Sequence, residues 1–258
     1  DLPDTLRLPV ILVDFTDYPS DGQAAAGTPA RFDSILFSAN YHNPTGSMTD
    51  YYLENSYGTF YVTGEVFGWY TLPRTYAWYV ADDYGLSRSQ TLALDAITAA
   101  DGEIDFGEYD ADHDGYCDGV IIIHAGPGAE QFGEEHIWSH RAWFYSAVAV
   151  DGVRILDYAV TPEEFGDSLS PIGVVCHEFG HLLDLPDLGG PGFADDNSEG
   201  LGRWSLMADG AFNNAGQTPA GLDAWCKIFL GFVQQVTVEN NLKQVAIPGV
   251  ETAPVVFM

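Results

Sequence analysis

His177, Glu178 and His181 lie within five residues of one another in the run Ser170 to Asp187. On a helix, residues i and i+4 project from one face a turn apart, so the two imidazoles can present two nitrogens to one metal ion. Two neutral imidazole nitrogens and one carboxylate are a ligand set for Zn²⁺ that leaves a position open for chemistry. Glu178, beside the first histidine, is placed to take a proton from water activated there. Asp187, six residues after His181, supplies the third ligand. A helix that carries two histidines and a glutamate by chance would need neither the flanking caps nor Asp187.

The elements that must position these groups are also marked. Ser170 is expected to N-cap the helix and Pro171 to open it, where no amide donor is needed. Pro186 forces it to stop by Leu185. Ile172, Val174, Val175, Leu182 and Leu183 give it an apolar face. Upstream, the continuous apolar run Leu8 to Phe15 reads as a central strand rather than a half-exposed one. A loop rich in Gly and Ala follows it. Thr28-Pro29 starts a helix through about Phe37, with Phe32, Ile35 and Leu36 inward. Ser47 with Asp50 starts another, ending near Tyr57-Gly58. Phe60 to Tyr70 is a strand or hairpin with Gly64 and Gly68 as turns or bulges. Ser87 to Ala100 is a helix with Leu92, Leu94, Ala96 and Ile97 mainly inward. Val120 to Ile123 and Val153 to Val160 are strands, with a turn at 124–129 and an acidic loop at 130–135. Residues 189–202 read as a surface loop. Thr218-Pro219 caps a last helix through Leu230, closed by Gly231.

A second cluster of ligand-type residues precedes Val120. Asp110, Asp112, Asp114 and Asp118 stand at positions 1, 3, 5 and 9 of a Ca²⁺-type loop, with Gly115 at 6 and the Tyr116 carbonyl at 7. Position 12 is Ile121 where an EF-hand needs glutamate, so the expectation is Ca²⁺ ahead of a strand, not an EF-hand. Acids this close repel without a cation.

The chain has 258 residues, 46% of them hydrophobic and 14% aromatic, enough for a sizeable core. With 38 Asp and Glu against 9 Lys and Arg, its net charge is −29. Such a surface disfavours nucleic acid and anionic membrane surfaces as partners. No apolar run reaches the roughly 18 residues of a membrane span. The chain opens at Asp1 without Met, which fits a processed or trimmed chain. Cys117, Cys176 and Cys226 cannot all pair within the chain and lack metal-ligand spacing, so buried free thiols are expected.

Together these residues resemble a known family. His177 to Asp187, followed by Trp204-Ser-Leu-Met207, resembles the metzincin arrangement, in which a Met-containing turn passes beneath the metal. Val10 to Phe15, Tyr51 to Gly58, Gly68 to Tyr70, Asp112 to Gly115 with Asp118, Ile137 to His140, and Thr218 to Ala220 with Lys227 and Leu230-Gly231 resemble the catalytic domain of the immune inhibitor A family of secreted metalloproteases. The resemblance implies an α/β (α+β) zincin-like domain with a mixed sheet, an active-site helix and a loop-rich C-terminal part. That is one catalytic domain over 1–258, with subdomains of about 1–184 and 185–258. It implies a secreted, monomeric zinc endopeptidase acting on protein or peptide substrates, with Ca²⁺ in the fold. His177, His181 and Asp187 match the zinc ligands, Glu178 the general base and Met207 the Met-turn. One position departs: Asp184 stands where the pattern has Gly and the chain turns sharply, and an L-residue in left-handed geometry costs about 1 kcal/mol. Should the turn after the helix not deliver Asp187, Glu199 is the fallback third ligand, at a spacing that resembles thermolysin-like enzymes. An extended substrate is expected to pair with an exposed strand edge, Val120 to His124 or Val153 to Val160. A backbone amide or His140 could serve the oxyanion. The alternative functions are a catalytically silent, Ca²⁺-stabilised binding module of the same fold and a zinc hydrolase acting on something other than peptides.

Overall fold

The computed structural model describes residues 2–20, 27–41, 44–189, 200–239, 246, 249 and 253–257. Six strands form one sheet: β1 (Thr5–Phe15), β2 (Tyr61–Leu72), β3 (Val120–Pro127), β4 (His140–Val150), β5 (Val153–Phe165) and β6 (Ser168–Leu169). Their order is β2-β1-β3-β5-β4, with β6 returning onto β5. The first four in that order run parallel, while β4 and β6 pair antiparallel with β5, so the sheet is mixed.

The apolar run in β1 is explained by burial of both its faces. Leu6, Leu8, Val10 and Leu12 join one core cluster, and Ile11, Val13 and Phe15 join another on the opposite side of the sheet. The first cluster is built with helices α1 (Pro29–Phe37) and α2 (Met48–Asn55). The second takes in α3 (Tyr76–Val80) and α4 (Ser89–Ala100). Short α5 (Ala129–Phe132) follows β3, α6 (Ile172–Leu182) carries the histidines on the α1 and α2 side, and α7 (Ala224–Phe229) comes late in the chain. A small parallel pair, β7 (Gln234–Val236) and β8 (Val255–Phe257), stands apart from the main sheet.

Local signals set several boundaries. Thr28 caps α1 by accepting from Arg31 N, with Pro29 in the first turn. Ser47 and Asp50 make a reciprocal capping box on α2. Of the strand or hairpin expected at Phe60 to Tyr70, the structure has the strand, an edge strand parallel to β1. Gly64 there lies where a Cβ would run into the Leu8 carbonyl, and Gly68 falls at a register shift of the pairing, a bulge.

Other expectations are corrected. Ser170 does not cap α6: its N–H is taken by the Glu163 carbonyl 2.7 Å away as the chain leaves β6, and Pro171 holds the cap position. Thr218-Pro219 does not start the last helix; α7 begins at Ala224, because the Asp223 carboxylate accepts from both Trp225 N and Cys226 N. Leu94 faces outward, 42% exposed, while Leu92, Ala96 and Ile97 are buried. The expected turn after Ile123 is strand as far as Pro127, and the acidic loop contains α5. Neither candidate docking strand has a free edge. β3 lies between β1 and β5, and β5 between β3 and β4, so a substrate cannot pair with either. The open edges among the described residues are β2 and β4. The loop after β1 (21–26), most of 189–202 and Glu199 lie outside the described residues. All three cysteines are free and buried.

Candidate metal centre

α6 is amphipathic, with Ile172, Val175, Cys176 and Phe179 in the core and the histidine face turned to a cleft. It is buttressed by α2: Tyr52 donates to the Cys176 carbonyl at 2.7 Å, and its ring meets Phe179 edge-on with centroids 4.8 Å apart. The helix ends in a Schellman motif. Leu185 N donates to the Gly180 carbonyl and Asp184 N to the His181 carbonyl, both at 3.0 Å. The left-handed residue of that motif is Asp184, with φ +63°. The turn leads through Pro186 to Asp187.

This geometry brings His177, His181 and Asp187 together, with one ligand atom from each within 4.8 Å of the others. His177 Nδ1 lies 2.8 Å from the Leu206 carbonyl and His181 Nδ1 2.7 Å from the Leu185 carbonyl. A carbonyl only accepts, so each Nδ1 carries a hydrogen and each ring, when neutral, has its lone pair on Nε2. The two Nε2 atoms are 3.1 Å apart. Asp187 Oδ1 is 3.3 Å from one and 3.4 Å from the other. Two lone pairs and a carboxylate converging on one point repel unless a proton or cation lies among them. A first-row metal ion fits this donor set, and the carbonyls that fix both rings are the usual outer partners of metal-bound histidine.

The charge balance agrees. Burial disfavours a charged His177, yet the Asp187 carboxylate and nearby Glu178 outweigh it and raise its pKa to about 9. Hydrogen bonds from His177 and then His181 hold the Asp187 carboxyl well below the usual carboxylate range. Glu178 is 4% exposed, and its Oε2 is buried without a hydrogen-bond partner. Burial, opposed by the two histidines, pushes its pKa up to about 7.

Met207 is fully buried beside α6. A Cβ on Gly180 would stand 2.5 Å from the Met207 sulfur, so the absence of a side chain there leaves room for the Met207 side chain against α6. That segment is pinned by Leu188 N to the Met207 carbonyl at 2.6 Å and by Ser205 Oγ, which donates to Asp223 at 2.7 Å.

The cleft beside the histidines has a volume of about 1290 Å³. Tyr84, Leu86 and Trp138 line one part of it, Ala208 to Phe212 excepting Gly210 another, and His140 and Arg141 bring in the start of β4. His140 is engaged at both nitrogens, Nε2 with Ser89 Oγ at 2.5 Å and Nδ1 with the Trp138 carbonyl at 2.7 Å, which ties the start of β4 to α4. The Leu185 and Leu206 carbonyls and Arg141 were not legible in the sequence. Backbone acceptors carry no side-chain signal, and Arg141 gains its place only when β4 pairs with β5.

At the acidic loop, carboxylate oxygens of Asp110, Asp112 and Asp114 come within 4.8 Å of one another. Asp118 is not in that group; its Oδ2 accepts from Ala111 N at 2.8 Å. Burial, and then the neighbouring carboxylates, raise the Asp118 pKa to about 6.

The chain is 27% identical over 278 aligned positions to the pre-pro-metalloprotease PrtV of Vibrio cholerae serotype O1, covering 88% of this chain and 30% of that one. It is 32% identical over 230 positions to immune inhibitor A of Bacillus thuringiensis subsp. alesti, covering 74% of this chain and 32% of the relative. The chain thus spans about a third of the length of these curated relatives. The family model described as immune inhibitor A peptidase M6, catalytic domain, matches residues 5–235, and the chain belongs to that family.

Proposed function

We propose that this chain is a zinc-dependent endopeptidase domain, with His177, His181 and Asp187 as the zinc ligands and Glu178 as the general base. The observation that carries the reading is the convergence of two imidazole lone pairs, 3.1 Å apart, with the Asp187 carboxylate beside a buried, unpartnered Glu178 Oε2. When bound, zinc supplies a Lewis acid that polarises the scissile carbonyl and acidifies water. The chain's own residues do the rest. The Leu206 and Leu185 carbonyls hold the two rings so that Nε2 faces inward. Glu178 takes the proton of the attacking water on its free carboxylate oxygen and returns it to the leaving amine nitrogen. The substrate is an extended protein or peptide segment that pairs with the open edge of β4, whose first residues line the cleft.

The finer reading is metzincin-like: a single catalytic domain over 1–258, divided at the end of α6 into about 1–184 and 185–258, with Met207 as the Met-turn residue. It is secreted and monomeric and takes no nucleic-acid or membrane partner, in keeping with a charge of −29 and with no helix among the described residues long and apolar enough to cross a membrane. Ca²⁺ is assigned to Asp110, Asp112 and Asp114, with the Tyr116 carbonyl and Asp118 completing the site once the Asp118 carboxylate turns inward. Casein cleavage with and without a zinc chelator tests the activity. Loss on chelation and recovery with zinc are expected; cleavage that ignores the chelator contradicts the reading, and so does a zinc-loaded protein that cleaves nothing.

A further inference from the structure

The turn that delivers the third ligand runs through a strained residue. Asp184 sits at φ +63°, a region that side-chain-bearing residues adopt at a cost and glycine adopts freely. Three residues on, Asp187 must meet both histidines. The Asp184 carboxylate is 3.7 Å from Arg141 Nη2, and the same nitrogen forms a close ion pair with Asp157 on β5. The guanidinium also lies 5.2 Å from the Trp143 ring centroid. Arg141 is the sole Lys or Arg side chain lining the cleft among the described residues, in a chain with only nine Lys and Arg.

We propose that Arg141 is a positioning residue for the metal centre: fixed to β5 through Asp157, it holds Asp184 in the left-handed turn that carries the chain from His181 round to Asp187. The inference rests on the metal reading of His177, His181 and Asp187. It gives the outermost strand of the sheet a hold on the ligand segment, because a turn that populates its bound form only part of the time weakens apparent metal affinity by that fraction.

Zinc affinity, measured by competition with a chromophoric chelator, separates this role from substrate contact, which would alter KM alone. Arg141→Gln and Asp184→Asn should each weaken zinc by about two- to fivefold, the scale of one partly exposed ion pair. Asp184→Asn leaves the Arg141–Asp157 pair intact and suits the left-handed region, so it keeps the test valid if Arg141→Gln folds poorly. Asp184→Gly removes the need for the tether: its zinc affinity should stay within about twofold of the parent, and adding Arg141→Gln to it should change nothing further. Parental zinc affinity in Asp184→Asn, or an equal loss from Arg141→Gln in the parent and glycine backgrounds, overturns the proposal. Asp187→Ala serves as the reference. If it too binds zinc like the parent, the metal centre as assigned falls and this inference with it; if it alone loses zinc, only this inference falls.

Discussion

At the scale of single residues, the site depends on groups whose partners leave them one role. Nδ1 of each histidine is committed to a carbonyl, so Nε2 can only look inward. Met207 shows the same economy, since it is fully buried and the helix gives way to it at Gly180. Met207→Ala should cost about 2–5 kcal/mol through the cavity it leaves, and zinc affinity should fall with it because Leu206, which orients His177, is its neighbour. Urea denaturation of metal-free and zinc-bound protein reads both effects; a variant with unchanged midpoint would show that the contact is not a packing contact. Asp118 gives a pH signature. Its folded pKa of about 6 lies above the 3.8 of an ordinary aspartate, so between those values the folded state holds the proton more tightly. The stability it contributes is present at the acid end and is lost as pH rises through that window. Metal-stripped parent protein should therefore lose stability relative to Asp118→Asn between about pH 4 and pH 6. Parallel stability curves for the two would refute the perturbed carboxylate.

At the scale of elements, α6, the helix of the candidate site, is held at its flank and its end. α2 holds the flank through Tyr52, and α2 in turn depends on the Ser47–Asp50 capping box. Ser47→Ala should cost about 1 kcal/mol, within the usual range for a lost cap. A melting temperature equal to the parent's would mean that the box contributes nothing. Such caps were legible in the sequence because their donors and acceptors lie within three residues, as at Thr28 and Ser47. The stop before Pro186 was legible from the proline itself, and the left-handed demand at Asp184 only through the resemblance, which has Gly there. Ser170 and Thr218 carry the same kind of signal and were misleading, because residues just outside a three-residue window decide: the Glu163 carbonyl takes the Ser170 amide, and Asp223 rather than Thr218 is the cap. Strand order is further from sequence still. Val120–His124 and Val153–Val160 read as strands, but nothing local says that both are interior. β4, with Trp143 and Tyr145 exposed at 53% and 90%, does not announce itself as the open edge beside the cleft.

At the scale of the whole molecule, a charge of −29 is spread over a fold with two apolar cores, one on each face of the sheet. Self-repulsion of that size opposes compactness, and both salt and bound cations relieve it. The proposed Ca²⁺ site predicts more than screening. In metal-stripped protein, millimolar CaCl₂ should raise the melting temperature beyond the effect of NaCl at equal ionic strength, and Asp112→Asn should remove the excess. Equal shifts with the two salts would leave the acidic loop a solvated turn. The central claim is the division of labour between ligands and base at α6. It is tested most directly by assaying the parent and Glu178→Gln together for casein cleavage, with zinc content measured in both. The account predicts equal zinc, near one per chain, and a rate lower by about 10²–10⁴-fold in the variant, the usual cost of losing a general base. Cleavage by Glu178→Gln at the parental rate would contradict it, whatever the metal content.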